Sequence, residues 1–170
     1  YGISPRIRFD VVINMLCGLA LTKNQITLNS NGEAWRPHLH IDDACESFRC
    51  CIEWDNRVGE LCVFNVGQNE DNRKVIDIAK IVQKNVEGSV LNFLNQDSDD
   101  SKASLIKDRK IQDGVDTRTY KVSFDKIHKT LPGFKCRWNI ESGIKHLLSE
   151  LRNIELNSSV FNRREFYRLQ

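Results

Sequence analysis

The chain has 170 residues, 40% of them hydrophobic and 28% charged, and a formal net charge of +2. That composition describes a globular domain with a real core and excludes a disordered or low-complexity segment. The small net charge and the lack of a long basic run argue against nucleic acid, and no apolar stretch approaches the ~18 residues of a membrane span. Six cysteines lie inside apolar-periodic segments rather than in a spaced loop framework, which points to reduced thiols and a cytoplasmic home. The chain opens on Tyr1 rather than Met, so a processed chain or a piece of a longer one is expected.

Turn formers Gly2, Ser4 and Pro5 lead into Phe9, Val12, Ile13, Leu16, Leu19 and Ala20, whose spacing predicts a helix over residues 9–21. Asn14 falls within it, on its polar side by spacing. Residues 25–28 read as a strand, and Asn29-Ser-Asn-Gly32 as a turn. Trp35, Arg36 and Pro37 follow, then a short run over residues 38–41. Pro37 fixes its own φ, and a guanidinium on so stiff a segment suits bidentate capture of a carboxylate or phosphate. Arg36 paired with a nearby Asp, or lying on Trp35, fits the same spacing. Asp42 or Asp43 is expected to cap a helix reaching residue 54, with Ala44, Phe48, Cys51 and Ile52 on one face. His38 and His40 would share a face in a strand and could begin a zinc site, but no third ligand converges on them, so packed or surface imidazoles are expected.

Residues 61–66 (Leu-Cys-Val-Phe-Asn-Val) form a dense apolar run ending at Gly67, which suits a strand buried on both faces of a parallel sheet. A polar loop over 68–72 and a helix over 73–86, apolar at Val75, Ile78, Ala79 and Val82, come next, then a strand candidate at 89–94. Residues 95–113 are acidic and then basic without periodicity, which reads as a solvated loop, or by charge as a phosphate-gripping lid. Residues 120–124 alternate weakly as a strand, with Asp125 as the expected cap of a short helix to residue 131. A helix over 140–154 and an amphipathic tail packing back on the domain close the chain.

Several of these stretches resemble one family in order. Tyr1-Gly-Ile-Ser-Pro-Arg-Ile-Arg-Phe-Asp10 through Asn14, Gly32-Glu-Ala-Trp-Arg-Pro-His-Leu-His-Ile-Asp-Asp43, Phe64-Asn-Val-Gly67, Asp116-Thr-Arg-Thr-Tyr-Lys-Val-Ser-Phe-Asp-Lys-Ile127 and Leu131-Pro-Gly-Phe-Lys-Cys-Arg-Trp-Asn-Ile-Glu-Ser-Gly-Ile144 are similar to segments of the extended short-chain dehydrogenase/reductase family. Pro132 is a one-residue insertion in that pattern. The family comprises NAD(P)-dependent nucleotide-sugar epimerases, dehydratases and reductases. The resemblance implies an α/β fold: the last part of a Rossmann-type doubly wound sheet plus a small α+β substrate-binding domain. It places the end of the NAD-binding domain in residues 1–67, with an interleaved substrate segment at 25–40, and the C-terminal substrate domain in 68–170.

By the same resemblance Arg36 and Arg118 contact the diphosphate of a nucleoside-diphosphate sugar, and Asn14 faces its phosphates. Two planar forks from separate segments can satisfy a diphosphate that one cannot. The sequence lacks the family's Gly-x-x-Gly-x-x-Gly loop and its Tyr-x-x-x-Lys pair. The expectation is therefore a C-terminal, substrate-binding portion whose NAD or NADP, catalytic Tyr and Lys come from an absent N-terminal half, through whose helices many members dimerise. The alternative is a non-catalytic split or decayed copy that binds a nucleotide sugar or only a partner. No catalytic, cofactor-binding or metal-binding residue is expected on this chain itself, and the nucleotide, the sugar and the reaction are not legible.

Overall fold

The computed structural model describes residues 1–54, 61–94, 111–112, 115–131 and 133–168. The expected polar stretch at 95–113 lies largely outside these residues, as does the inserted Pro132. The centre of the molecule is α1 (Val12–Lys23), apolar nearly all round, with Ile13, Leu16, Cys17, Leu19 and Ala20 buried. A helix apolar on every side is stable only when covered on every side. Here α3 (Val75–Asn85) and α5 (Ile140–Asn153) supply that cover through Ile78, Ala79, Val82, Ile144, Leu147, Leu148 and Leu151. The expected start at Phe9 is three residues early. Phe9 is fully buried but precedes the helix and donates its N–H to Phe166 O at 2.9 Å.

The chain leaves α1 through Asn24, whose left-handed φ of 51° closes the last turn onto Ala20 O. It then enters β1 (Gln25–Leu28), which pairs in parallel with β4 (Val90–Phe93), Gln25 opposite Val90 and Leu28 opposite Phe93. Both strands fall where the sequence put them, and the parallel pair with its helical crossover makes the fold α/β. The tail packs back as expected: α6 (Ser158–Phe161) presses the fully buried Phe161 ring onto α1 at Gly18. A Cβ at Gly18 would stand 2.2 Å from Phe161 Cε2, so only glycine permits that approach. The core draws on residues from both sides of position 67.

A second, smaller cluster gathers Cys50, Phe124, Ile127, Leu131 and Phe134 beneath α2 (Ile41–Glu53) and α4 (Asp125–Thr130), with Trp54, Phe64 and Val66 against it. Around it several expectations need correction. The cap of α2 is His40, whose Nδ1 accepts from Asp42 N at 3.2 Å, because Asp43 is drawn inward instead. Its carboxylate is buried and accepts the backbone N–H groups of Arg137 (2.9 Å) and Trp138 (3.2 Å). The inner face of α2 is therefore Asp43, Ser47 and Cys50, while the apolar face at Phe48 and Ile52 stands 69% and 85% exposed.

Residues 61–66 pair with no strand among the described residues, so the expected doubly buried strand is not present. Phe64 and Val66 touch the second cluster, whereas Leu61 and Val63 point to solvent. A strand is buried on both faces only when sheet neighbours and covering layers exist, and none of the described segments supplies them. Residues 120–124 likewise form no ladder, and Phe124, at φ −109° and ψ 7°, is not extended. Asp125 is the first residue of α4, with Phe124 at the cap position. The segment at 72–74, expected as loop and helix start, is instead β3 (Asn72–Lys74).

Candidate anion site

The site is built on β2 (Trp35–Pro37), which immediately precedes the short run at residues 38–41. Asn31 Oδ1 accepts from Glu33 N (3.1 Å), and Gly32 takes a φ of +74° against Leu28 and Ile76, so the turn swings the chain back over α3. There β2 pairs antiparallel with β3, Arg36 opposite Arg73. Pro37, which cannot donate to a ladder, occupies its last position. On the other side of β2 runs the 117–124 segment. Trp35 N donates to Thr119 Oγ1 (3.1 Å), and Tyr120 N donates to Trp35 O (3.3 Å).

Asn72 fastens the same segment from β3. Its Nδ2 donates to Val122 O (2.9 Å) and Asn69 O (3.0 Å), and its Oδ1 accepts from Val122 N (2.9 Å). Asn69 adds an acceptor for Phe124 N (3.0 Å). These side-chain amides replace the missing ladder.

This stitching brings Arg36 and Arg118 together over an 82-residue separation. Between them sits Asp116, at the end of β6 (Val115–Asp116), which pairs with β5 (Ile111–Gln112). Arg36 Nη2 donates to Asp116 Oδ2 at 2.6 Å, and Arg118 donates through Nε to Oδ1 (3.0 Å) and through Nη2 to Oδ2 (3.2 Å). Arg36 Nη1 donates to Trp35 O (2.7 Å) and to Arg118 O. Burial alone would raise the Asp116 carboxyl, but the hydrogen bonds from Arg118 and the charges of Arg36 and Arg118 outweigh it and hold it below the usual carboxylate range.

Aromatic rings frame the pair. The Arg36 guanidinium stands 5.5 Å from the Tyr120 ring centre, and Lys121 Nζ lies 3.7 Å over Trp35. Among the described residues, Arg36, Arg118 and Lys121 against Asp116 leave a net positive charge beside the half-exposed ring of Tyr120.

Of the expected site residues, Arg36 and Arg118 converge. Asn14 is nearly fully buried and uses its carboxamide within the 2–8 loop: Oδ1 accepts from Gly2 N (3.0 Å), while Nδ2 donates to Arg8 O (2.9 Å) and Gly2 O (3.4 Å). It lies neither on a polar helix face nor against the arginine pair's hydrogen bonds. Among the described residues no group of three or more His, Cys, Asp or Glu side chains could hold a metal. His40 is instead packed between Tyr1, Trp138 and His146, its ring 4.6 Å from Trp138 and close to parallel. All six cysteines are free.

The glycine-rich turn that cradles a dinucleotide cofactor is not found at the starts of α1, α2, α3 or α5. Such a group needs a glycine-rich turn that lets backbone approach its pyrophosphate at a helix N-terminus. Instead α1, α2, α3 and α5 are entered through Asp10-Val11, Leu39-His40, Arg73-Lys74 and Trp138-Asn139. No helix of the described residues is long and apolar enough to cross a membrane.

The model of the NAD dependent epimerase/dehydratase family matches residues 4–67. Solved structures match over nearly the whole chain. The UDP-glucose 4-epimerase of Thermotoga maritima, with UDP-glucose, has a TM-score of 0.67 at 18% identity over 91% of this chain and 44% of its own. The dTDP-glucose 4,6-dehydratase of Bacillus anthracis, with NAD, gives 0.66 at 18% over 94% and 44%. The UDP-glucuronic acid 4-epimerase of Bacillus cereus, with UDP-glucuronic acid and NAD, gives 0.64 at 20% over 91% and 43%. The fold is the Rossmann-type one of epimerases and dehydratases. The chain spans less than half the length of each of these proteins.

Asp116 and Asn72 escaped the sequence reading. Asp116 stood inside a motif valued for Arg118, and its position two residues upstream was the available signal. For Asn72 there was none, since a loop asparagine gives no sign of which distant backbone it will meet.

Proposed function

We propose that this chain is the substrate-binding C-terminal portion of an NAD(P)-dependent nucleotide-sugar epimerase or dehydratase, and that Arg36 and Arg118 grip the diphosphate of a nucleoside-diphosphate sugar. The observation that carries the reading is the convergence of the two guanidiniums, from segments far apart in sequence, on one shared carboxylate. A pair able to chelate a carboxylate has the planar donors and charge to chelate phosphate oxygens. Asn14 supports the reading at one remove, by holding the 2–8 loop.

In this proposal NAD or NADP, with the catalytic Tyr and Lys, belongs to an N-terminal half. That half also covers the apolar surface of Phe48, Ile52, Leu61 and Val63, which stands 69%, 85%, 93% and 68% exposed on this chain. An exposed apolar helix face and an unpaired apolar segment suit a sheet layer that adds a strand and packs under a helix. Residues 1–67 would then end the cofactor domain and 68–170 form the substrate domain.

The test is calorimetry of the native polypeptide with UDP-, dTDP- and GDP-sugars. The best ligand should bind Arg36→Ala more weakly by about 1.5–3 kcal/mol, the worth of a charge-assisted contact. Equal binding by Arg36→Ala removes Arg36 from the site.

A further inference from the structure

The arginine pair poses a charge problem. A diphosphate is an anion, yet the two guanidiniums proposed to take it already share a carboxylate. Asp116 is committed to them at both oxygens: Oδ1 accepts from Arg118 N and Nε, both at 3.0 Å, and Oδ2 from Arg36 Nη2 (2.6 Å) and Arg118 Nη2 (3.2 Å). Either the carboxylate occupies the place of a phosphate and must be displaced, or it holds the forks while ligand binds elsewhere on them.

Two observations favour holding. Arg36 has five N–H donors, and its hydrogen bonds engage both on Nη1 and one on Nη2, the last being the only one given to Asp116. The Nε–H and the second Nη2–H remain for an incoming anion. The exposures are also graded: the side chains of Asp116 and Arg36 are 13% and 14% exposed, that of Arg118 41%. A ligand arriving from solvent meets Arg118 before it meets the carboxylate. Without a counter-charge, two guanidiniums drawn to the same space repel each other, and long side chains regain rotamer freedom.

We propose that Asp116 is a positioning residue of the anion site. It fixes Arg36 and Arg118 side by side in the geometry that takes a diphosphate, so its removal weakens binding even though it removes a negative charge. The inference rests on the diphosphate reading above. Simple charge counting gives the opposite sign, which makes the two accounts separable.

The experiment is calorimetry of the native polypeptide with inorganic pyrophosphate and with UDP, for wild type, Arg36→Ala, Asp116→Asn and Asp116→Glu. Positioning predicts that Asp116→Asn binds both ligands on the order of tenfold more weakly. In a proton–nitrogen spectrum, the Arg118 Nε–H signal should shift and broaden in that variant, because the amide loses the carboxylate's charge and one of its two acceptor oxygens. Asp116→Asn binding as tightly as wild type, or more tightly, overturns the inference. Should Asp116→Asn not fold, Asp116→Glu decides. It keeps the charge but moves the carboxylate by one methylene, so positioning predicts weakened binding and unchanged affinity refutes it. Wild-type affinity in Arg36→Ala is a different failure: the diphosphate reading itself falls, whatever Asp116 does.

Discussion

Asn72 offers a sharp test of how the site is held. Its carboxamide makes three hydrogen bonds, two to the backbone of Val122 and one to Asn69 O, at 2.9–3.0 Å and almost out of solvent. Each such bond contributes about 1 kcal/mol net, and Asn72→Ala strands the N–H and carbonyl of Val122, so the loss should be about 2–3 kcal/mol. For a chain of this size that lowers the melting temperature by roughly 5–10 °C. The consequence for function follows the chain. Val122 lies four residues beyond Arg118, and the segment's backbone ties to β2, at Trp35 N–Thr119 Oγ1 and Tyr120 N–Trp35 O, are longer. Asn72→Ala should therefore weaken pyrophosphate binding as well as stability, whereas Asn72→Asp keeps the acceptor for Val122 N but sets a carboxylate against two carbonyls and should do no better. Thermal melts by circular dichroism and calorimetry on the same samples read both effects. If Asn72→Ala melted within about 2 °C of wild type and bound pyrophosphate normally, the amide staple would not be what positions Arg118.

Gly18→Ala forces a methyl into the Phe161 ring, and overpacking there should cost about 1–3 kcal/mol, set against up to ~1 kcal/mol gained in helix propensity; a melting temperature at or above wild type would contradict the packing. His38 gives a pH signature. Burial pushes its pKa down to about 4, with the charges of the Tyr1 amino group and Arg36 adding to the shift. Above about pH 6.5 it is neutral folded or unfolded; as pH falls toward 4 the unfolded chain takes up a proton that the folded chain refuses, so stability drops by up to about 3 kcal/mol. Denaturant melts should show that slope between those pH values, and His38→Gln should flatten it; an unchanged slope would assign it elsewhere. In the native polypeptide Phe48→Ala should cost about 3–5 kcal/mol if an N-terminal sheet covers α2, and within about 0.5 kcal/mol if Phe48 stays exposed. Urea melts separate the two.

What the sequence made legible was periodicity and local chemistry. The strands at 25–28 and 89–94 and the helix over 140–154 follow from apolar spacing, and the structure has them within a residue or two, with an Asn139–Ser142 capping box opening the helix. The errors share one cause. Leu61 to Val66 and the Phe48–Ile52 face carry the apolar pattern of buried elements, but burial needs a covering layer that the described residues do not contain. Pattern states what a segment needs, not what it meets. Arg36 shows the converse: an ion pair and a phosphate grip share one spacing, and the structure supplies the pair, with Asp116, while leaving donors for the grip. Asp43 escaped in a similar way, because a carboxylate at a helix start reads as a cap until a distant backbone, here Arg137 and Trp138, claims it.

The central claim is that Arg36 and Arg118 act as one anion-binding unit. A double-mutant cycle tests it most directly: UDP affinity of the native polypeptide measured for wild type, Arg36→Ala, Arg118→Ala and the double variant. Two forks chelating one diphosphate predict that either single change weakens binding at least tenfold, and that the double variant loses little more, with a coupling of about 1 kcal/mol or greater. Strict additivity, or wild-type affinity in either single variant, would contradict the account.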